Sequence, residues 1–214
     1  MGTFSDNDKN GVSSLDDGDY TENQVECRCS ELSKEIKTVN NGGHDKPFKL
    51  KALFEEIVRM QQFVEKCKLF KSGQELYSEW LEQVRKCGNM CLNYSKEPDN
   101  NDKESNPSND LQNVISRAYN NRGYLKYLQV DFEGAIHDYT KALKYDSTSA
   151  CAYYNRGLVT YRLAFFQQSI QDMKTALQLD PCEEFRLGLQ RAEEAYNTST
   201  GHSFNLECNS ECDD

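Results

Sequence analysis

Cysteine and histidine are the residue types of this sequence that could bind a metal or form a covalent intermediate. Among the nine cysteines there are three close pairs: Cys27-x-Cys29, Cys87-x₃-Cys91 and Cys208-x₃-Cys212. A structural zinc site needs two such pairs brought together, so the second and third pairs could form a four-thiolate site if the C-terminal segment folded back. The sequence does not require this, and regulatory oxidation or unpaired thiols remain alternatives. We interpret the cysteines within the helical segments as small apolar packing residues: Cys67, Cys151 and Cys182.

The histidines do not suggest catalysis. His44 and His202 lie in polar segments, and His137 lies beside Asp138 on a predicted outer helix face. A nucleophile needs a base positioned on the same scaffold, and the sequence shows no such pair. It also lacks the glycine-rich patterns that bind phosphates. We therefore predict a protein that is not an enzyme and that has no cofactor or bound metal.

The overall charge limits the possible partners. Acidic residues outnumber basic residues 35 to 25, for a net charge of −10. Nucleic acid is not an expected partner, because contact with phosphates needs a basic surface. No apolar run approaches the roughly 18 residues of a membrane-spanning helix, and residues 1–24 lack the basic start and apolar block of a secretory signal. We expect a cytoplasmic monomer that has no membrane partner and keeps its cysteines as thiols.

The acidic excess is concentrated in three polar segments. Residues 1–46, 92–115 and 197–214 carry net charges of −5, −3 and −4, and they are rich in Asn, Ser, Asp and Gly. This composition is typical of loops or disorder. Residues 1–46 contain only 11 apolar residues and no tryptophan, which is too few to bury a core. The composition predicts acidic disordered tails at both ends and an exposed acidic insert between them.

An internal repeat lies between these segments. Residues 118–123 read AYNNRG and residues 152–157 read AYYNRG, at an offset of 34. The offset continues downstream, where it relates Tyr127 to Tyr161 and each of the following residues to its counterpart: Phe132 to Phe166, Ile136 to Ile170, Asp138 to Asp172, Ala142 to Ala176 and Asp146 to Asp180. Each unit has apolar residues at helical spacing, a break, and a second helical run. Each unit is therefore predicted to be a pair of antiparallel helices.

A more divergent unit lies upstream. Phe70 and Tyr77 take the places of Phe132 and Tyr139, although Gln61 and Gly73 replace the usual small residues of the helix contact. After Pro181, apolar residues at helical spacing over 184–196 predict a final amphipathic helix. A repeat array needs such a cap, since its last unit would otherwise expose an apolar face.

Two antiparallel helices in every 34 residues resemble the tetratricopeptide repeat (TPR) family. The stretch AYNNRGYLKYLQVDFEGAIHDYT, followed by AYYNRGLVTYRLAFF, is similar to a small animal branch of that family with three units, although the acidic N-terminal extension departs from it. The resemblance implies an all-α superhelix of three helix-turn-helix repeats with a C-terminal capping helix. The predicted segments are an acidic tail at 1–46, a degenerate unit 1 at 47–87, an exposed insert at 88–115, unit 2 at 116–149, unit 3 at 150–183, the cap at 184–196 and an acidic tail at 197–214.

In this architecture the first helix of each pair lines a concave groove. On that basis the predicted peptide-binding residues are Arg117, Asn120, Asn121, Tyr124, Tyr127, Tyr154, Asn155, Leu158, Tyr161 and Arg162. Asn121 and Asn155 hold equivalent positions, and carboxamides at this spacing can both donate to and accept from the backbone of an extended peptide. Tyrosines add apolar area with a polar hydroxyl. The alternative is that these Asn residues bond neighbouring helices and the Tyr rings pack between repeats; for the adjacent Arg122 and Arg156 we favour such a bridging role.

Chaperone-binding members of the family hold a C-terminal aspartate with a carboxylate clamp of Lys, Asn and Arg residues. Of the five clamp positions only Asn121 matches, and the others carry Val58, Gln62, Cys151 and Asn155. Without the cations, most of the charge-assisted hydrogen bonds are missing. We expect Hsp70 or Hsp90 not to bind through such a clamp.

The predicted function is a non-catalytic adaptor or scaffold that binds an extended peptide of another protein in the groove. The alternatives are a chaperone accessory protein without a carboxylate clamp and a thiol- or zinc-dependent regulatory module. Three repeats offer only a short groove, so modest affinity is expected.

Overall fold

The computed structural model describes residues 20–39, 46–87 and 107–201, and all regular secondary structure in these ranges is helical. The helices, in chain order, are α1 (Glu22–Thr38), α2 (Lys46–Lys66), α3 (Phe70–Cys87), α4 (Pro107–Leu128), α5 (Phe132–Tyr145), α6 (Ala150–Arg162), α7 (Phe166–Leu179) and α8 (Glu183–Thr200). Three hairpins, α2–α3, α4–α5 and α6–α7, follow one another, and each hairpin packs against the next. In the described part of the chain no helix is long and apolar enough to cross a membrane.

The same backbone turn joins the two helices of every hairpin. Lys68, Val130 and Ala164 occupy equivalent positions and have φ angles of 57°, 63° and 60°, in the left-handed region. The residue that follows each of them donates its N–H to a carbonyl five residues earlier, at 2.9 Å in all three hairpins. This is the Schellman ending of a helix, which satisfies carbonyls that the helix leaves free. The shared turn establishes that α2–α3 is a hairpin of the same kind as the other two.

Glycines allow the paired helices to approach closely. A Cβ on Gly123 would lie 2.9 Å from the ring of Tyr139, and one on Gly157 would lie 3.0 Å from Cγ of Met173. Both distances are shorter than van der Waals contact, so only glycine fits here without a shift of its neighbour. The equivalent place in the first hairpin holds Gln61, and there Gly73 on the facing helix supplies the space: a Cβ on it would lie 2.8 Å from Cγ1 of Val64.

The apolar core is unevenly distributed. One large cluster joins α1, α2, α3 and α4 around Phe54, Tyr77 and Trp80, all three completely buried, and the indole of Trp80 donates to the carbonyl of Leu50 at 2.7 Å. The hairpins formed by α4 to α7 and the final helix α8 share two smaller clusters, in which alanines and single residues such as Tyr139 and Met173 fill the space.

The predicted disordered tail over 1–46 is wrong for residues 22–39. Helix α1 buries Val25, Cys29, Leu32 and Ile36 at helical spacing against α2 and α3. Thr21 and Gln24 form a capping box at its start. The apolar residues of this segment are too few for a core of their own, but a single stripe is enough for a helix that joins an existing core. Residues 1–19 and 40–45 lie outside the described ranges.

Two further boundaries differ from those predicted. Helix α4 begins at Pro107, within the predicted insert 88–115, because proline is well suited to the first position of a helix. Helix α8 continues to Thr200 and ends at Gly201, whose φ of 71° is left-handed, so it extends beyond the predicted cap at 184–196. Residues 88–106 and 202–214, which include most of the insert and of the C-terminal tail, are not among the described residues.

Candidate functional site

We use the name groove face for the surface formed by α2, α4 and α6, the first helices of the three hairpins. Ten of its residues were predicted to bind a peptide. Two contacts show that these helices are neighbours: the Arg117 guanidinium lies 3.9 Å from Oε1 of Glu55, and Nδ2 of Asn155 donates to Oδ1 of Asn120 at 3.0 Å. The groove face is therefore continuous across the three hairpins.

A chain of hydrogen bonds runs along the middle of the groove face. Asn155 donates to Asn120, and Asn120 makes a longer contact of 3.4 Å with Oδ1 of Asn121. Asn121 donates to the hydroxyl of Tyr77 at 3.1 Å, and that hydroxyl donates to Oε1 of Gln61 at 2.7 Å. The amides thus contact neighbouring helices, as in the structural alternative, while each Asn amide uses only part of its capacity of two donors and two acceptor lone pairs.

Sequence reasoning missed three residues at the first-hairpin end of this chain: Gln61, Glu65 and Tyr77. Nε2 of Gln61 donates to Oε1 of Glu65 at 2.8 Å, which extends the chain by one helical turn of α2. Burial raises the pKa of Tyr77, so its hydroxyl remains protonated and can donate. The only sequence sign was that Gln61 stands where the other units have glycine. That polar residue faces a tyrosine hydroxyl instead of a tight helix contact.

Tyrosine rings and one guanidinium occupy the groove face near the hairpin turns. The rings of Tyr124 and Tyr127 stack at a centroid distance of 6.5 Å, and the Arg162 guanidinium lies 5.9 Å from the Tyr127 centroid. Burial, together with the charge of Glu65, raises the pKa of Tyr124. The hydroxyls of Tyr124 and Tyr127 make no hydrogen bond to the described residues. Tyr161 repeats the position of Tyr127, packing 5.8 Å from the ring of Phe166.

Tyr154 does not lie on the open groove face, which corrects the prediction. Its side chain is 8% exposed and packs 4.5 Å from the ring of Phe185 on α8. Gly188 makes room for it: a Cβ there would lie 2.6 Å from Cε2 of Tyr154. The final helix covers the position that Asn120 leaves partly open one unit earlier, so Tyr154 anchors the cap. Leu158, also among the predicted residues, is only partly buried and packs at the edge of the same cluster.

The predicted bridging role of Arg122 and Arg156 agrees with their contacts. Arg122 binds Asp138 through two nitrogens, at 2.7 and 2.6 Å, and reaches Ser78 of the preceding hairpin at 3.1 Å. Arg156 binds Asp172 in the same way, both bonds being 2.8 Å, and reaches Thr140 at 3.2 Å. Each arginine therefore joins the two helices of its own hairpin to the hairpin before it. We call each of these arrangements an Arg–Asp bracket.

Metal binding finds no support in the described residues, which contain no cluster of three or more Cys, His, Asp or Glu side chains. Cys91, Cys208 and Cys212, needed for the possible four-thiolate site, lie outside the described ranges, as do His44 and His202. Cys67 and Cys182 are partly buried, as expected of packing residues, whereas Cys151 is exposed. His137 is exposed on α5, the solvent-facing position predicted for it.

The hairpins, their common turn and their helix order define a helical-repeat protein with an extended face of first helices. Residues 123–163, from the middle of α4 through α5 to α6, match the family model described as TPR repeat. The described fold is accordingly all-α and of the TPR superhelical type.

Solved structures agree with this fold. The myosin chaperone UNC-45 from C. elegans, crystallised in complex with a Hsp90 peptide, is 26% identical with a TM-score of 0.51 over 69% of this chain and 14% of its own. The MamA protein is 14% identical with a TM-score of 0.50 over 84% of this chain and 87% of its own. The Arabidopsis OM64 TPR domain is 19% identical with a TM-score of 0.49 over 66% of this chain and 94% of its own. The chain thus spans about one seventh of the length of UNC-45.

Proposed function

We propose that this protein is a non-catalytic, cytoplasmic adaptor that binds an extended segment of a partner protein on the groove face. The observation that carries this proposal is the chain of hydrogen bonds from Glu65 to Asn155, which crosses all three first helices. Neutral amides with spare donors and acceptors can bind a peptide backbone whatever its side chains, and the network holds them at fixed positions. The likeness to UNC-45, which was crystallised with a peptide, supports this use of the fold.

The residues that we propose to contact the peptide are now fewer than the sequence predicted. Asn120, Asn121 and Asn155 would bind its backbone, and Tyr124, Tyr127, Leu158 and Tyr161 would contact its side chains. Arg117 and Arg162 lie at the two ends of this set. Tyr154 is excluded, because α8 covers it.

A chaperone accessory role is a second candidate, and the likeness to UNC-45 is what favours it. Binding through a carboxylate clamp is not part of this candidate. Val58, Gln62 and Cys151 lack the required charge, and Asn121, the one matching residue, already donates to Tyr77. By the resemblance of residues 118–140 and 152–166, we further propose that the nearest relative is tetratricopeptide repeat protein 32.

Affinity capture from cell lysate with a groove variant tests the proposed function. The variant Asn121→Ala/Asn155→Ala removes the two amides at equivalent positions. Gln168→Ala/Gln171→Ala is a matched control, because it removes two exposed amides from α7, outside the groove face. Circular dichroism would first establish that both variants remain helical.

Partners retained by the wild type and the control but lost from the groove variant are the expected result. Synthetic peptides from those partners should then bind the wild-type protein directly. Equal retention by all three proteins would contradict the proposal and move the function to another surface.

A further inference from the structure

Two charged side chains on the groove face differ from the others in having no ionic partner. Arg117, Arg122, Lys126 and Arg156 of α4 and α6 each form an ion pair, and so do Glu55 and Glu56 of α2. Among the described side chains of these helices, Glu65 is the one carboxylate, and Arg162 the one arginine, without an ion pair. The former belongs to the first hairpin and the latter to the third.

The unpaired charges stand at opposite ends of one row of contacts. Glu65 is close enough to Tyr124 to raise the pKa of its hydroxyl. Tyr124 stacks on Tyr127, and Tyr127 lies under the guanidinium of Arg162 at 5.9 Å. From the first hairpin to the third the row therefore presents a carboxylate, two phenol rings and a guanidinium.

Each end of the row fits a different side chain. A carboxylate beside an exposed aromatic ring suits a lysine or arginine, which gains an ion pair and a cation–π contact together. At the other end, a guanidinium whose planar fork has no carboxylate partner suits an aspartate or glutamate, which it can bind through two parallel hydrogen bonds. Neighbouring helices lie roughly 8–10 Å apart, so two such steps correspond to about five or six residues of extended chain at roughly 3.3 Å each.

We propose that the groove face selects an extended peptide in which a basic residue and an acidic residue are separated by about five positions, with the basic residue over the first hairpin and the acidic residue over the third. This rests on the proposed peptide-binding function and adds a charge pattern to it. Complementary charges of this kind set the register and choice of partner more than the total affinity.

Binding of dye-labelled peptides, measured by fluorescence anisotropy, tests the pattern. The probes are four pools of nine-residue peptides, randomised except at two positions six residues apart that carry Lys and Asp, Lys and Lys, Asp and Asp, or Gln and Gln. The wild-type protein should bind the Lys/Asp pool best, by about fivefold over the Gln/Gln pool at low salt, which is the upper range for exposed ion pairs. The preference should fall as salt screens the charges.

Charge reversal at either end should change the preference in a defined way. Glu65→Lys should favour the Asp/Asp pool, and Arg162→Glu should favour the Lys/Lys pool. Glu75→Lys on α3 and Lys144→Glu on α5 are matched controls, because they make the same charge changes at exposed residues outside the groove face. Both controls should keep the wild-type order.

The possible failures are distinguishable. Failure of every pool to bind the wild type would overturn the peptide-binding function and this inference together. Pools that bind equally, or variants that keep the wild-type preference, would overturn the charge pattern alone. A shift caused by the control variants as well would also refute it, since the effect would then come from net charge.

Discussion

Replacing an Arg–Asp bracket with apolar residues is the most direct test of how the hairpins are held together. The first hairpin already contains the replacement: Met60 and Leu76 occupy the places of Arg156 and Asp172, and both are buried. We therefore compare Asp172→Leu, Arg156→Met and the double variant Arg156→Met/Asp172→Leu. The double variant gives the third hairpin the same pair as the first.

The structure sets the expected magnitudes. Breaking one partner of a buried ion pair costs about 3–5 kcal/mol. The Arg156 side chain is 23% exposed and keeps its bond to Thr140, so water can partly solvate it and Asp172→Leu should cost about 2–3 kcal/mol. The double variant leaves no uncompensated charge and should unfold within about 1 kcal/mol of the wild type. Urea unfolding followed by far-ultraviolet circular dichroism measures each value.

The second hairpin provides the contrasting case. Lys126 also pairs with Asp138, at 2.9 Å, and its side chain is only 14% exposed. Arg122→Met/Asp138→Leu therefore strands a lysine, and it should be less stable than the double variant of the third hairpin by about 1–3 kcal/mol. A third-hairpin double variant as unstable as Asp172→Leu alone would refute the reasoning. Equal stability of the two double variants would also refute it.

Three further predictions concern single positions. Val130→Gly should raise the free energy of unfolding by roughly 1 kcal/mol, because a β-branched residue is strained at a φ of 63°; a lower urea midpoint would contradict this. Gly188→Ala should lower it by about 1–3 kcal/mol, since the new methyl group meets the ring of Tyr154, and the loss should shrink in Tyr154→Ala/Gly188→Ala; additive losses would show that the two sites do not interact. Burial raises the pKa of Cys29 to about 11, so folding favours its neutral thiol. That contribution is complete below the unfolded thiol pKa of about 8.5 and is lost as pH rises towards 11. With a thiol reagent, Cys29 should react far more slowly than exposed Cys27, and equal rates would show that α1 does not cover it.

The sequence reveals the second and third hairpins because both their spacing and their residue types repeat. The first hairpin is harder to recognise, since Gln61 replaces a glycine and apolar residues replace the Arg–Asp bracket. What it shares with the others is a backbone turn at Lys68, and no residue type encodes that turn. Helix α1 was missed because a stripe of four apolar residues acquires meaning only when a core exists for it to cover.

Tertiary contacts explain why the prediction of the groove residues was incomplete. Equivalence at an offset of 34 places Tyr154 beside Asn120, but it does not show that α8 covers the third unit and leaves the second open. Nor does the repeat point to Tyr77, which is on a second helix and reaches the groove face through its hydroxyl. Positions in a repeat can be predicted from one unit, whereas exposure depends on the neighbouring unit.

The uneven core has a consequence for the motions of the groove face. Large aromatic and aliphatic side chains fix α2 and α4, while α6 rests on alanines, a few larger residues and a charged bracket. Because each hairpin contacts mainly its neighbours, the two ends of the array can open at different free energies. Backbone amides of α6 to α8 should thus exchange hydrogen sooner than those of α2 and α3. A ligand lying across all three hairpins would meet one firm wall and one yielding wall, and its binding would slow exchange chiefly in the second.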